Sequence, residues 1–182
     1  MHPGLFLEML EDGKALGCNI YYCYARSVSG PGRSLLVAEE WVGQDDFVVI
    51  LGDSLFLTKL DFQSKVAPHM FVMPLGEFDD PKKYGQVKLG NDRVSEIVWK
   101  PDEQLSDLIQ TTCFVFPSSV FARLHLLDRE TPGEVHISAL TSQCVQEGLM
   151  RYTLIPAESY IDCGTIDALL KASQSIAKRI NQ

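Results

Sequence analysis

Phe47-Val48-Val49-Ile50-Leu51-Gly52-Asp53 is the stretch whose reading decides the fold. Five apolar residues in a row, led in by Gln44-Asp45-Asp46 and stopped by a glycine, predict a strand buried on both faces, as strands of parallel sheets are. Immediately upstream, Ser34 to Val42 has helical spacing and ends at Gly43. Further upstream, Leu5 to Leu16 carries apolar residues on one helical face between Pro3 and Gly17, the expected punctuation of an amphipathic helix. Between the two helices, Asn19 to Ala25 is rich in aromatic and branched residues and predicts a strand, and Ser29-Gly30-Pro31-Gly32 breaks regular structure. Helix, strand, helix, strand predicts an α/β domain with a mostly parallel sheet.

Downstream the pattern changes. Met70 to Met73, Gly85 to Lys88, Val94 to Trp99 and Thr111 to Phe116 are short strand candidates separated by turns such as Asp79-Asp80-Pro81 and Gly90-Asn91-Asp92, which predicts a small antiparallel insertion. Helices resume at Ser118 to Leu126 and Ile137 to Glu147, two short strands follow at Tyr152 to Pro156 and Tyr160-Ile161, and Asp167 to Ile180 closes as a helix. There is no internal repeat and no long linker, so residues 1–182 are expected to form one domain.

Composition narrows the function classes. With 46% hydrophobic and 22% charged residues, the chain is not of the disordered or low-complexity kind. Sixteen Lys and Arg against 24 Asp and Glu give a net charge of −8, so the basic face that nucleic-acid binding needs is missing. No run of about 18 apolar residues occurs, which excludes a membrane-spanning helix, and nothing at Met1-His2-Pro3-Gly4 resembles a secretory signal. The five cysteines are odd in number and form no C-x-x-C pair, and the four histidines lack metal-ligand spacing. A cytoplasmic protein with reduced thiols and no zinc site is expected.

Asp53 follows the apolar run directly. In an open α/β sheet ligands collect beyond the carboxyl ends of strands, so Asp53 is a candidate for a cleft; capping of the next segment is the competing role. Asp162, in Tyr160-Ile161-Asp162-Cys163-Gly164-Thr165, is a second carboxylate at a strand end, with the same alternative. Two carboxylates meeting at one cleft would suit Mg²⁺, a hard ion that completes its octahedron with phosphate oxygens and water. Gly85 could admit a ligand close to the backbone, and Lys100 could neutralise a phosphate; a solvated lysine beside Pro101 is the plainer reading.

The ordered set Leu35 to Asp53, Tyr84-Gly85, Lys100-Pro101, Gly133-Glu134-Val135-His136-Ile137-Ser138 and Ile161-Asp162-Cys163-Gly164-Thr165 resembles the sugar-1-phosphate nucleotidyltransferase family, its glucose-1-phosphate thymidylyltransferase branch above all. The resemblance covers nearly the whole chain. It implies a Rossmann-like nucleotidyltransferase fold and synthesis of a nucleotide sugar and pyrophosphate from a nucleoside triphosphate and a sugar 1-phosphate. It further implies that Asp53 and Asp162 hold the catalytic Mg²⁺ and that Gly30 lies beside the nucleotide base. Gly85 would contact the sugar and Lys100 its phosphate, and the sugar-phosphate oxygen would attack the α-phosphorus in line.

Several positions depart from the family pattern. Trp99 stands where the family's E-K-P motif has a sugar-binding glutamate, and an indole only donates hydrogen bonds. Ala25 replaces a base-reading glutamine, and His136 a glutamate. Thr112 replaces a glycine of the sugar pocket and is carried as a substrate-binding candidate. The family's opening strand and glycine-rich G-x-G-T-R loop, whose N–H groups and arginine would grip the triphosphate, have no counterpart in the 182 residues. An N-terminally truncated fold is therefore expected, with open sheet edges or apolar surface that a homo-oligomer would cover. The resemblance leaves three functional expectations: an enzyme impaired on its own, a non-catalytic binder of nucleotide sugar or sugar phosphate, or one part of a split enzyme.

Overall fold

The computed structural model describes residues 3–25, 30–76 and 80–180; Ser29 and Asp79 of the expected turns lie outside them. Helix α1 (Pro3–Leu10) is followed by a 3-10 turn at Lys14–Leu16, then α2 (Pro31–Leu35), a 3-10 turn at Leu36–Ala38, and α3 (Glu39–Val42). Strands β1 (Phe47–Ile50), β2 (Ser54–Phe56), β3 (His69–Pro74), β4 (Gly85–Leu89), β5 (Val94–Trp99) and β6 (Leu108–Phe116) come next. The chain then runs through α4 (Val120–Glu130), α5 (Ile137–Gln146), β7 (Arg151–Leu154), β8 (Tyr160–Asp162) and α6 (Ile166–Ile180).

The α/β class is as the sequence predicts. The central sheet runs β5-β4-β6-β3-β7, with β1 added on β6. Strand β6 runs antiparallel to β1, β3 and β4, whereas β3 and β7 are parallel. Strands β1, β3, β4 and β7 therefore share one direction, the mostly parallel arrangement expected. The opposed β6 lies between them, so β3–β7 is the parallel hydrogen-bonded pair and the other pairings are antiparallel. The β4–β5 hairpin, in register from Gly85↔Trp99 to Leu89↔Val94, is the antiparallel insertion. Strands β2 and β8 form a separate two-stranded sheet, with Ser54 opposite Asp162.

Side chains alternate across β3. Met70 and Val72 enter the cluster built by α4 and α5 with Phe114, Phe116, Leu124 and Leu140. Phe71 and Met73 point the other way, among Ile109, Cys113, Val115 and Tyr160. Strands β3 and β6 are thus buried on both faces. Strand β1 corrects the expectation made for it: it buries one face, with Val49 8% exposed, while Val48 and Ile50, which alternate to the other face, are 40% and 47% exposed. Phe47 is its anchor, stacked on Phe121 with ring centroids 5.1 Å apart.

Two further expectations are corrected. Asn19 to Ala25 forms no strand; high β propensity has no consequence without a partner edge, and Tyr21 instead packs on Trp41 at 5.5 Å. The helix expected over Leu5 to Leu16 stops at Leu10, where Glu11 turns to φ 45° and Gly13 N–H bonds back to the Leu10 carbonyl. Likewise Ser34 to Val42 is split into three short helical segments rather than one.

Candidate functional site

The two sequence-distant aspartates meet through β2 and β8. Cys163 N–H donates to the Asp53 carbonyl at 2.7 Å, and Gly164 N–H donates to Asp162 Oδ1 at 2.9 Å. A Cβ placed on Gly164 would lie 3.0 Å from Asp162 Oδ1 and 3.5 Å from Asp53 Oδ2, so both carboxylates converge on one point beside this glycine. The electrostatics agree: the Cys163 thiol is pushed up first by burial and then by the charges of Asp162 and Asp53. Both aspartates are exposed. Among the described residues no group of three or more His, Cys, Asp or Glu could hold a metal. Two carboxylates fit Mg²⁺, which takes one or two carboxylates and fills its remaining positions from phosphate and water.

Behind the pair lies a hydroxyl network. Thr112 Oγ1 is hydrogen-bonded to Ser54 Oγ and sits 3.2 Å from Tyr160 Oη, tying β6 to both strands that carry the aspartates. Burial pushes the Tyr160 hydroxyl up to about 12, against the hydrogen bonds from Thr112 and Ser54. It is a neutral, protonated group at physiological pH. Thr112 thus links β6 to the β2–β8 layer. Ser54 and Tyr160 were not singled out from the sequence, because nothing local marks a hydroxyl whose partner lies on another sheet.

Gly30 opens α2 at φ 91°, ψ 157°, a conformation that side chains rarely adopt. A Cβ there would lie 2.5 Å from the Val135 carbonyl oxygen. Gly32 N–H donates to the same oxygen at 2.8 Å, so this turn is fastened against the Gly133-to-Ser138 stretch. Gly30, Val49, Gly52, Glu134 and Ile137 line an open cavity of about 560 Å³ at the carboxyl end of β1. A second cavity, about 710 Å³, is lined by Asp162, Tyr84, Tyr160, Thr165 and Lys171.

Gly85 and Lys100 form the other flank. Gly85 is buried, and the space beside its Cα is filled by Gln110 and Trp99. Its neighbour Gln86 pins the surrounding loops: Nε2 donates to the Pro81 carbonyl at 3.0 Å, and Oε1 accepts from Leu105 N–H at 2.6 Å and Ser106 N–H at 3.0 Å. Lys100 N–H donates to the Tyr84 carbonyl at 3.1 Å, and its ammonium lies 5.2 Å from the Trp99 ring centroid. Among the described residues no ion pair joins Lys100 to Asp53 or Asp162. The connection runs through Trp99, Gly85 and Gln110 to Thr112, two residues further along β6.

Comparison with known proteins gives this geometry a family. Glucose-1-phosphate thymidylyltransferase of Neisseria meningitidis is 24% identical over 177 residues, 94% of this chain and 62% of that protein. A UTP–glucose-1-phosphate uridylyltransferase of Haloferax volcanii is 28% identical over 144 residues, 75% of this chain and 58% of that protein. The chain thus spans about three fifths of the length of these curated relatives. Among solved structures, a candidate glucose-1-phosphate thymidylyltransferase from Bacillus anthracis in complex with a sucrose superposes with a TM-score of 0.79 at 26% identity, covering 94% of this chain and 70% of that one. UDP-glucose pyrophosphorylase complexed with UDP-glucose shares the fold, with a TM-score of 0.75 at 18% identity over 98% of this chain and 74% of that one. The sequence model described as Nucleotidyl transferase matches residues 1–179, and the chain belongs to the nucleotidyl transferase family.

Proposed function

We propose that residues 1–182 form the metal and sugar-phosphate part of a sugar-1-phosphate nucleotidyltransferase site. The observation that carries this reading is the convergence of the Asp53 and Asp162 carboxylates beside Gly164. Bound there, Mg²⁺ would supply neutralisation of charge on phosphoryl oxygens. Lys100 clamps the sugar phosphate and Gly30 borders the base, while Gly85, covered by Trp99 and Gln110, shapes the flank beneath them. Thr112 fixes the β2–β8 layer while its strand forms the floor of the sugar site. The reaction is in-line attack of the sugar-phosphate oxygen on the α-phosphorus. Its transition state needs preorganised donors on the triphosphate, and the 182 residues carry no G-x-G-T-R loop. Binding of nucleotide sugar without turnover is therefore the activity proposed for these residues by themselves.

The exposed Val48 and Ile50 on β1 and the exposed Leu5, Phe6 and Met9 on α1 support a homo-oligomer that covers them. No helix among the described residues is long and apolar enough to cross a membrane, and the free thiols Cys113 and Cys144, buried in the core, suit a reducing cytoplasm. Calorimetric titration with dTDP-glucose, with and without Mg²⁺, tests the proposal. Saturable, Mg²⁺-enhanced binding is expected; no heat at millimolar ligand in either condition refutes it.

A further inference from the structure

Asp53 and Asp162 belong to short strands set apart from the central sheet, yet their carboxylates converge beside Gly164. Strands β2 and β8 have three residues each and form a sheet of their own, and a two-stranded ribbon of that size is marginal by itself. One residue of the central sheet reaches both halves of it. Leu51 to Ser54, the turn that carries Asp53, is closed by Ser54 N–H donating to the Leu51 carbonyl at 3.1 Å. Thr112 holds this turn at each end: its carbonyl accepts from Leu51 N–H at 3.2 Å, and its Oγ1 is hydrogen-bonded to Ser54 Oγ. The same Oγ1 lies 3.2 Å from Tyr160 Oη, two residues before Asp162. Ser54 in turn stands directly opposite Asp162 in the β2–β8 register.

Thr112 brings the rigidity of β6 to this ribbon. Its neighbours Thr111 and Cys113 are buried, and Thr111 Oγ1 donates to the Phe71 carbonyl at 2.9 Å, which pins β6 to β3 one residue away. Tyr160 also bonds Ser54, so the hydroxyls of Ser54, Thr112 and Tyr160 touch in all three pairs. Each has one O–H to give and lone pairs to accept, so a closed ring satisfies every donor, and members of such a network hold one another in place. Two carboxylates left to themselves repel. Their separation is therefore set from behind, through the backbone that carries them. A divalent ion needs both within reach at once, and ligands held ready before it arrives bind it more tightly.

We propose that Thr112 is the positioning residue of the carboxylate pair: its hydroxyl keeps the Asp53 turn and β8 in the register in which one divalent cation meets both carboxylates, and so sets the affinity for that cation. This rests on the metal reading of Asp53 and Asp162, and it gives Thr112 a role that needs no contact with substrate. The probe is Mn²⁺ alone, titrated against the protein and followed by electron paramagnetic resonance. Thr112→Val, which keeps the shape and removes the hydroxyl, should weaken Mn²⁺ binding about tenfold, the low end of what outer partners of metal ligands contribute. Thr112→Ser, which keeps the hydroxyl, should bind as the parent does.

Ser54→Ala breaks the same link from the other side and carries the test if Thr112→Val fails to fold. It should weaken Mn²⁺ binding to a similar degree, and the double variant should bind no worse than either single one, because the two losses are one loss. Amide hydrogen exchange without metal supplies a second readout: the Cys163 amide, which donates to the Asp53 carbonyl, should exchange faster in Thr112→Val, while the Val115 amide on β6 keeps its rate. Equal Mn²⁺ affinity in Thr112→Val and the parent overturns the proposal and leaves the metal reading standing. So does a loss in Thr112→Ser as large as that in Thr112→Val, or a Cys163 amide that exchanges as in the parent. A parent protein that binds no Mn²⁺ at millimolar concentration overturns the metal reading itself, and the proposal with it.

Discussion

Replacing Gly85 by alanine separates packing from ligand contact at the sugar flank. An added Cβ would lie 2.6 Å from Gln110 Nε2, 2.9 Å from Gln110 Cδ and 2.9 Å from Trp99 Cε3, all too close without movement. Trp99 can yield toward solvent, but Gln110 is 5% exposed, so its amide has to shift inside the packed interior. Overpacking of this kind costs about 1–3 kcal/mol, offset by up to about 1 kcal/mol because a strand glycine is removed. The net expectation is destabilisation by about 1–2 kcal/mol, and Tm should fall by roughly 3–6 °C for a chain of this size. Urea denaturation followed by circular dichroism measures it. The Gly85→Ala, Gln110→Ala double variant should be more stable than the two single losses predict, with a coupling of about 1 kcal/mol. A Gly85→Ala protein within 0.5 kcal/mol of wild type, or strictly additive losses, would refute the packing account and leave close ligand approach as the reason for the glycine.

Other expectations follow from the same structure. Gly30→Ala forces an unfavourable φ and sets a Cβ 2.5 Å from the Val135 carbonyl oxygen, so a loss of about 2–3 kcal/mol is expected in thermal unfolding. His69 is pushed down to about 4, chiefly by burial and then by Lys65 and Arg151. Its neutral form favours the fold, so its contribution is complete above pH 6.5 and is lost as pH falls toward 4. The loss is up to about 3 kcal/mol, read as the difference in urea stability between wild type and His69→Gln at pH 7 and at pH 4.5. Tyr160→Phe removes a hydroxyl of the Ser54–Thr112 network and should cost about 1 kcal/mol in the same assay. Sedimentation at micromolar concentration should show a dimer or larger species; a monodisperse monomer would dismiss the oligomer.

The sequence made some of this legible. Val94 to Trp99 is a strand with the bounds read from its residues, and α4 and α5 fall where apolar spacing places them, because each buries a face in the core. Asn19 to Ala25 misled, since β propensity says only that a residue suits a pleated surface, not that an edge is waiting. Val48 and Ile50 misled for a related reason: an apolar run reports suitability for burial on two faces, and β1 buries one. At the site, Asp53 and Asp162 stood out by their positions after apolar strands. Ser54, Gln110 and Tyr160 did not, because their roles arise from the β2–β8 pairing and the packing of β6 behind it. Trp99 was visible as a departure from the family pattern, but the glycine seat and the lysine resting on the ring required the hairpin register.

Asp53 and Asp162 are proposed to hold one divalent ion together. Electron paramagnetic resonance of Mn²⁺, used in place of Mg²⁺ and titrated against the protein with dTDP-glucose present, tests it most directly. One bound ion per chain is expected, with affinity lost in Asp53→Asn and equally in Asp162→Asn. Binding that survives either single substitution would contradict it.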